Sequence, residues 1–121
     1  MKIEVRFSDI DSQGHVNHIP ITEWIAHARV KFFDEIIAAS GESDIDHVLV
    51  HLTQEYKREI RYPADVDIHI EVFSVGNKSV ALSYTLTVNN VELVTARSIS
   101  VFTRILPQEI RDALYDYSLG R

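Results

Sequence analysis

One long stretch of helical periodicity, residues 18–39, constrains the fold of this chain more than any other feature. Its apolar residues recur at spacings of three and four, which places them on one face of an α-helix. They are Ile21, Trp24, Ile25, Ala28, Phe32 and Ile36. Asn17 is a suitable N-cap, Pro20 is tolerated only in a first turn, and Gly41 is a typical stop signal. Further apolar residues on other faces predict a helix that is buried over much of its circumference.

Five segments show, wholly or in part, the alternation of apolar and polar side chains that indicates a strand. They are residues 2–8, 48–62, 66–75, 79–88 and 91–104. Tight turns at Gly76–Lys78 and Asn89–Asn90 predict that the last three strands form an antiparallel meander. A short amphipathic helix is predicted over residues 107–117. The order predicts an α+β protein with one long helix against one antiparallel sheet, and no linker or repeat divides residues 1–121 into more than one domain.

Composition excludes several classes of site and partner. The 121 residues include no cysteine, so disulfides, thiolate metal sites and cysteine nucleophiles are excluded. The formal net charge is −6 and there is no basic stripe, which argues against a nucleic-acid partner. No stretch approaches the ~18 apolar residues that a membrane helix needs, and no signal-peptide pattern opens the chain. We therefore expect a cytoplasmic protein with no membrane partner.

The residues best suited to chemistry lie between the first strand and the long helix. This loop ends at a helix N-terminus and contains Asp9, Asp11, Gly14, His15 and His18. A helix start offers unpaired N–H groups that can hold a developing oxyanion. An adjacent carboxylate can attack a carbonyl or activate water, and glycine permits a positive φ angle. These parts suit acyl transfer, although both aspartates are also compatible with simple loop and capping roles.

The segment Val5–His18, VRFSDIDSQGHVNH, together with Glu23-Trp24 and Ala28-Arg29 in the helix, resembles the 4-hydroxybenzoyl-CoA thioesterase family of hotdog proteins. Tyr62–Val66 resembles the turn that enters the third strand of that family, and Val75–Ser79 resembles its Gly-x-x-Ser hairpin. The resemblance spans nearly the whole chain. It implies the hotdog fold, in which a five-stranded antiparallel sheet wraps the long helix and a short helix follows at the C-terminus.

The resemblance also implies roles for individual residues. Asp11 matches the catalytic aspartate, which either attacks the thioester directly or activates a water molecule. The backbone N–H of His18 matches the donor that polarises the thioester carbonyl, and the histidine side chain is implicated in some members. Gly14 matches the loop glycine. Val16 and Asn17, which lie between these positions, are expected to contact the substrate or CoA.

The chain departs from the family pattern at three positions near this loop. The family often has tyrosine at the position of Ile21, seldom has proline at that of Pro20, and usually has tyrosine at that of Phe7. We expect the substitutions at Pro20 and Ile21 to reshape the acyl pocket and leave the reaction type unchanged. Phe7 lacks any hydrogen bond that a tyrosine hydroxyl would make.

A basic cluster and a group of polar residues complete the candidate site. We assign Lys57, Arg58 and Arg61 to the phosphates of CoA, and the alternative is a solvated strand edge that discourages aggregation. Gln54 and Glu55 are weaker candidates for assisting a catalytic water. These five residues all fall within the second predicted strand.

Two further interpretations concern the charged residues of the loop and the helix. His15 and His18 are spaced like metal ligands, but no additional ligand motif accompanies them and no metal is predicted. Arg29 is expected to pair with Glu23 or Asp34 along the helix, and contact with CoA is the alternative.

The function implied by the resemblance is hydrolysis of an acyl-CoA thioester to a carboxylic acid and free CoA. No cofactor is expected, because CoA is part of the substrate. The working unit is expected to be a homodimer or a dimer of dimers, with the site at the subunit boundary. Two alternatives are a non-catalytic module that binds acyl-CoA and an enoyl-thioester hydratase or dehydratase. The residues do not specify the acyl group, or CoA against acyl-carrier protein as the carrier.

Overall fold

The computed structural model describes residues 1–119, which form two helices and five strands in the predicted order. The elements are β1 (Lys2–Glu4), α1 (His18–Ser40), β2 (His47–Tyr56), β3 (Asp65–Val75), β4 (Ser79–Val88), β5 (Val91–Phe102) and α2 (Gln108–Leu119). A short 3₁₀ turn, Phe7–Asp9, lies between β1 and α1. The predicted domain, residues 1–121, includes residues 120 and 121, which lie outside the described range.

The five strands form one antiparallel sheet with the order β1-β3-β4-β5-β2. The predicted meander β3-β4-β5 is confirmed and forms the centre of the sheet. Its second hairpin turns at Asn89 and Asn90, whose φ angles are 51° and 65°. Positive φ at both central residues is what a two-residue type I′ turn requires. β2 follows α1 in the chain and pairs with β5, so it lies at one edge of the sheet.

The long helix α1 packs against one face of this sheet and matches the predicted bounds to within one residue. Its buried residues are Ile21, Trp24, Ile25, Ala28, Arg29, Phe32, Phe33 and Ile36. Burial of each large apolar side chain contributes roughly 1.5–3 kcal/mol, so this face holds the helix on the sheet. Gly41 ends the helix in the left-handed conformation, with φ 76°, and its N–H donates to the Ala38 carbonyl.

The predicted C-terminal helix is present as α2, and it packs beside α1 and β3. Ile110 and Leu114 are fully buried. Tyr117 packs edge-on against Phe32, with ring centroids 4.7 Å apart, and its hydroxyl donates to the Ile70 carbonyl at 2.9 Å. Neither α1 nor α2, as far as residue 119, is long and apolar enough to cross a membrane.

Three strand predictions were too long, and one of them, the strand predicted over residues 91–104, ends at Phe102. The predicted strand 2–8 ends at Glu4, because the backbone N–H and the guanidinium of Arg6 both bind the Asp9 carboxylate and turn the chain. The predicted strand 48–62 ends at Tyr56, because the N–H groups of Lys57 and Arg58 both donate to the Leu93 carbonyl, at 2.8 and 3.1 Å. The chain therefore leaves the sheet before the basic cluster.

Arg29 does not form the predicted surface pair. Its side chain is only 7% exposed, and it makes no ion pair with Glu23 or Asp34 in the described part of the chain. The guanidinium lies near the buried hydroxyl of Tyr84, which shares a 2.7 Å hydrogen bond with Ser98. Burial raises the pKa of Tyr84, and the hydrogen bond with Ser98 and the nearby positive charge of Arg29 offset only part of that rise.

Candidate active site

The loop before α1 is closed by its own backbone hydrogen bonds. The Asp11 N–H donates to the His15 carbonyl at 2.8 Å, and the Gly14 N–H donates to the Asp11 carbonyl at 3.1 Å. Gly14 has a φ angle of 79°, and a Cβ added there would meet no atom within 4 Å. Glycine is therefore required at this position for its backbone conformation, since left-handed φ costs other residues about 1–2 kcal/mol.

The segment after β2 holds this loop in place from the other side. The Val16 N–H donates to the Ile60 carbonyl at 2.8 Å, and the Tyr62 N–H donates to the Gly14 carbonyl at 3.3 Å. These pairings bring residues 57–61 next to a loop that precedes them by more than 40 positions in the sequence. Because the chain leaves the sheet after Tyr56, Lys57 and Arg58 lie near Asp11.

The two loop aspartates have different environments. Asp9 is 2% exposed, and its carboxylate accepts hydrogen bonds from the backbone N–H and the guanidinium of Arg6, both at 2.9 Å. Burial raises the pKa of Asp9, but the hydrogen bonds and charge of Arg6 outweigh it and lower the pKa below its ordinary value. Its backbone carbonyl also accepts the Asn17 N–H, at 3.2 Å. Asp9 therefore has the structural role that the sequence left open for both aspartates.

Asp11 is exposed, and one of its two carboxylate oxygens is left for chemistry. Oδ1 accepts the N–H groups of Gln13 and His15, at 2.9 and 3.1 Å. Oδ2 accepts no hydrogen bond from residues 1–119. The N–H groups of His15 and Gln13 lower the pKa of Asp11, so this carboxyl stays ionised at mildly acidic pH. An ionised, oriented carboxylate is the form that can attack a carbonyl or accept a proton from water.

The first turn of α1 presents two free backbone donors. Asn17 occupies the N-cap position, as predicted, but its side chain makes no capping hydrogen bond in the described structure. Its own N–H is used by Asp9, and Pro20 has no N–H. Of the backbone donors that a helix leaves unpaired at its start, those of His18 and Ile19 remain.

A cavity of about 400 Å³ lies between this helix start and the segment that follows β2. It is lined by Asp11, His15, Val16, His18, Ile21, Tyr56, Lys57, Arg58, Glu59 and Ile60. Five of the predicted site residues therefore meet at one cavity: Asp11, Val16, His18, Lys57 and Arg58. The predicted residues Gly14, Asn17 and Arg61 do not line it.

The three cations of the basic cluster differ in how they are paired. Lys57 Nζ lies 3.3 Å from a carboxylate oxygen of Glu92, and Arg61 Nη2 lies 3.1 Å from one of Glu59. Arg58 makes no ion pair with any residue from 1 to 119. The cation that lines the cavity with its charge unpaired is therefore Arg58.

Sequence reasoning missed two polar residues that line the cavity. Glu59 binds the imidazole of His15, with Nε2 and Oε2 3.2 Å apart, and Tyr56 brings a phenol to the rim. No local pattern indicated either contact, because His15 and Glu59 are brought together only by the pairing of two distant segments. Among residues 1–119, no three or more histidine, aspartate or glutamate side chains are grouped so that they could hold a metal ion.

Comparison with known proteins identifies the family. A sequence profile of the thioesterase-like superfamily matches residues 5–114. The chain belongs to the thioesterase-like superfamily. The predicted family resemblance is thus confirmed, and the match includes both the loop before α1 and the segment after β2.

A curated relative of this thioesterase-like protein is YsmA of Bacillus subtilis, an uncharacterized protein. The two are 25% identical over 83 residues, which cover 69% of this chain and 56% of YsmA. The matched part of the chain thus spans little more than half the length of that relative.

Solved structures share the fold of this thioesterase-like chain. The gentisyl-coenzyme A thioesterase BH1999 is 19% identical, with a TM-score of 0.83, and the match covers 95% of this chain and 98% of that one. A thioesterase from Thermus thermophilus, solved with coenzyme A and zinc, is 23% identical with a TM-score of 0.83. That match covers 100% of this chain and 93% of the other. The predicted hotdog fold is confirmed.

Proposed function

We propose that this protein hydrolyses an acyl-CoA thioester to a carboxylic acid and free CoA. The observation that carries the proposal is the cavity lined by Asp11, by His18 at the start of α1 and by the unpaired cation Arg58. Membership of the thioesterase-like superfamily supports this chemistry. So do the coenzyme A named for the Thermus thermophilus structure and the gentisyl-CoA activity named for BH1999.

In the proposed reaction, the thioester carbonyl oxygen accepts a hydrogen bond from the His18 N–H. Oδ2 of Asp11 either attacks the acyl carbon or takes a proton from a water molecule that attacks it. The carbon–sulfur bond then breaks, the sulfur leaves as a thiolate, and protonation gives free CoA. In the direct route, water cleaves the resulting anhydride and regenerates the carboxylate of Asp11. Amides fixed at a helix start stabilise the oxyanion without reorganisation, which is the usual source of such rate enhancement.

The phosphates of CoA are expected at the basic rim of the cavity. Arg58 presents an unpaired guanidinium there, and its planar donors match a phosphate better than an ammonium does. Lys57 lies next to it but shares its charge with Glu92. Local positive charge of this kind allows an acidic protein, with a formal net charge of −6, to bind a polyanion.

The proposed working unit is a homodimer or a dimer of dimers. β2 has a hydrogen-bonded neighbour on one side only, so its other edge carries unpaired N–H and carbonyl groups. Val48, Leu49 and Val50 on this strand are 61%, 37% and 57% exposed. Antiparallel pairing of two β2 edges covers both features and places the cavities of the two copies at the subunit boundary.

Substitution of Asp11 tests the reaction. Asp11→Asn retains an oxygen that can accept the N–H groups of Gln13 and His15, so it removes the charge and spares the loop. Asp11→Ala removes both the charge and the oxygen that accepts the hydrogen bonds of the loop. We expect each variant to lower the rate of thiol release from acyl-CoA by at least about 10²-fold, comparable to loss of an oxyanion donor. A panel of acyl-CoA and acyl-carrier-protein thioesters, followed by thiol detection, identifies the substrate in the same experiment.

Asp44→Asn is the matched control, because Asp44 is an exposed loop carboxylate that does not line the cavity. It should leave turnover unchanged. Near-wild-type turnover in both Asp11 variants would rule out Asp11 as the catalytic carboxylate.

A non-catalytic module that binds acyl-CoA is the second candidate. It is favoured by one observation: Oδ1 of Asp11 closes the loop through two hydrogen bonds, which is reason enough for an aspartate at this position. Calorimetric titration with CoA and acyl-CoA, beside the thiol-release assay, separates the two. Binding without turnover on every thioester of the panel would replace the hydrolase by the binding module.

A further inference from the structure

A chain of three side-chain hydrogen bonds connects the cavity rim to the first turn of α1. Tyr56, the last residue of β2, is half-exposed and lines the cavity. Its hydroxyl is bound by Nε2 of Gln54. The same nitrogen donates to Oγ1 of Thr22 at 3.0 Å, and the Thr22 hydroxyl donates to the His18 carbonyl at 3.0 Å. The tyrosine is thereby linked to the turn that carries the proposed oxyanion donors.

The donor and the acceptor of each hydrogen bond in this chain follow from the number of protons that each group carries. Thr22 has one hydroxyl proton and gives it to the His18 carbonyl, so its oxygen can only accept from Gln54. The atom of Gln54 that faces Thr22 must therefore be the amide nitrogen. That nitrogen carries a second proton, which goes to the Tyr56 oxygen. Tyr56 thus accepts within the chain, and its own O–H proton is bound by none of the described residues.

The opposite orientation of the Gln54 amide leaves more groups unpaired. In the orientation observed, Oε1 is the only atom of the Gln54 amide that is buried without a partner among the described residues. Rotating the amide would bury the nitrogen with both of its protons unpaired. Each buried unpaired polar group costs about 1–3 kcal/mol, so the orientation with Nε2 toward Thr22 and Tyr56 is favoured.

We infer that the Tyr56 hydroxyl donates a second hydrogen bond to the thioester carbonyl oxygen, beside the His18 N–H. This role rests on the proposed hydrolysis. A carbonyl oxygen has two lone pairs and accepts two donors. The helix start supplies one of them, and the hydrogen-bond chain holds a phenol against that same turn with its proton free. Tyr56 is then a catalytic residue, and Gln54 is a positioning residue that dictates where its proton points.

Tyr56→Phe and Gln54→Glu test the inference together. Tyr56→Phe removes only the hydroxyl, so kcat for thiol release should fall by about tenfold or more while KM changes less than about threefold. In Gln54→Glu a carboxylate that can only accept replaces the donor and draws the tyrosine proton away from the cavity. That variant should lose kcat to a similar extent. The kcat of the double variant should then be no lower than that of Tyr56→Phe alone, since both substitutions remove the same hydrogen-bond donor.

Tyr115→Phe is the matched control, because Tyr115 is exposed on α2 and does not line this cavity. Its kcat should equal that of the wild type, and thermal unfolding should confirm that all variants are folded. Unchanged kcat in Tyr56→Phe, or a change in KM alone, overturns the inference. If Tyr56→Phe has no effect on kcat but Asp11→Asn abolishes turnover in the same assay, the proposed hydrolysis stands without a role for Tyr56. A wild-type protein that hydrolyses no thioester refutes the hydrolysis and the role of Tyr56 together.

Discussion

At the scale of single residues, two nearby arginines differ in whether a carboxylate pairs with their charge. Arg61 is paired with Glu59, whereas Arg58 makes no ion pair in the described range and lines the cavity. A charge-assisted hydrogen bond to phosphate contributes about 1.5–3 kcal/mol. We therefore expect Arg58→Ala to raise KM for acyl-CoA about tenfold or more, and Arg61→Ala to raise it less than about twofold.

The control is an acyl-pantetheine thioester, which lacks the nucleotide phosphates. With this substrate Arg58→Ala should have the KM of the wild type. Equal effects of the two substitutions on acyl-CoA, or an Arg58 effect that persists without phosphates, would show that Arg58 does not contact them.

At the scale of the elements, the β4–β5 hairpin depends on two residues in the left-handed region. Asn89 and Asn90 both have positive φ, and Asn-Gly is the preferred pair for such a turn. Asn90→Gly should therefore raise the free energy of unfolding by about 0.5 kcal/mol, measured by urea denaturation. Asn77→Gly is the control, because Asn77 lies in the β3–β4 turn and its φ is not positive. This substitution adds flexibility to the unfolded chain but relieves no backbone strain, so it should not raise the free energy of unfolding. A loss of stability in both variants would mean that the turn does not limit this hairpin.

At the scale of the whole molecule, the sheet has one short edge and one long edge. β1 has three residues, whereas β2 has ten and presents exposed valines along an unpaired edge. We expect Val50→Lys to shift the proposed dimer toward monomer in analytical ultracentrifugation, because a lysine on an edge strand opposes pairing. Thiol release should fall with the dimer if the site lies at the subunit boundary.

Val91→Lys is the matched control for this substitution. Val91 is 43% exposed but lies at the β4–β5 turn, where it pairs with Val88, and so it is not on the free edge of β2. It should leave the oligomeric state unchanged. A Val50→Lys protein that remains fully dimeric would exclude the β2 edge as the interface.

The spacing of apolar residues was sufficient to predict the helices and strands and their order along the chain. The stripe of α1, the alternation of β3 and β4 and the asparagine turn each report which face of a local segment is buried, and that information is complete within about ten residues. The position of Asp11 before a helix start was likewise readable, because loop and helix are adjacent in the chain. These features were sufficient to predict the fold class, and the resemblance of the loop motif predicted the family.

The tertiary structure decided what depends on contacts between distant segments. β2 ends at Tyr56 because Leu93 accepts the N–H groups of the next two residues, and this break brings Arg58 to the cavity. Asp9 and Asp11 look alike in the sequence, yet Asp9 is buried and bound by Arg6, whereas Asp11 is exposed. The amide of Gln54, which binds the Tyr56 hydroxyl on the same strand, is held in turn by Thr22 on α1. Alternation records that a side chain is buried or exposed, but a hydrogen bond also needs a partner at a given distance and angle, and only the folded chain brings that partner into place.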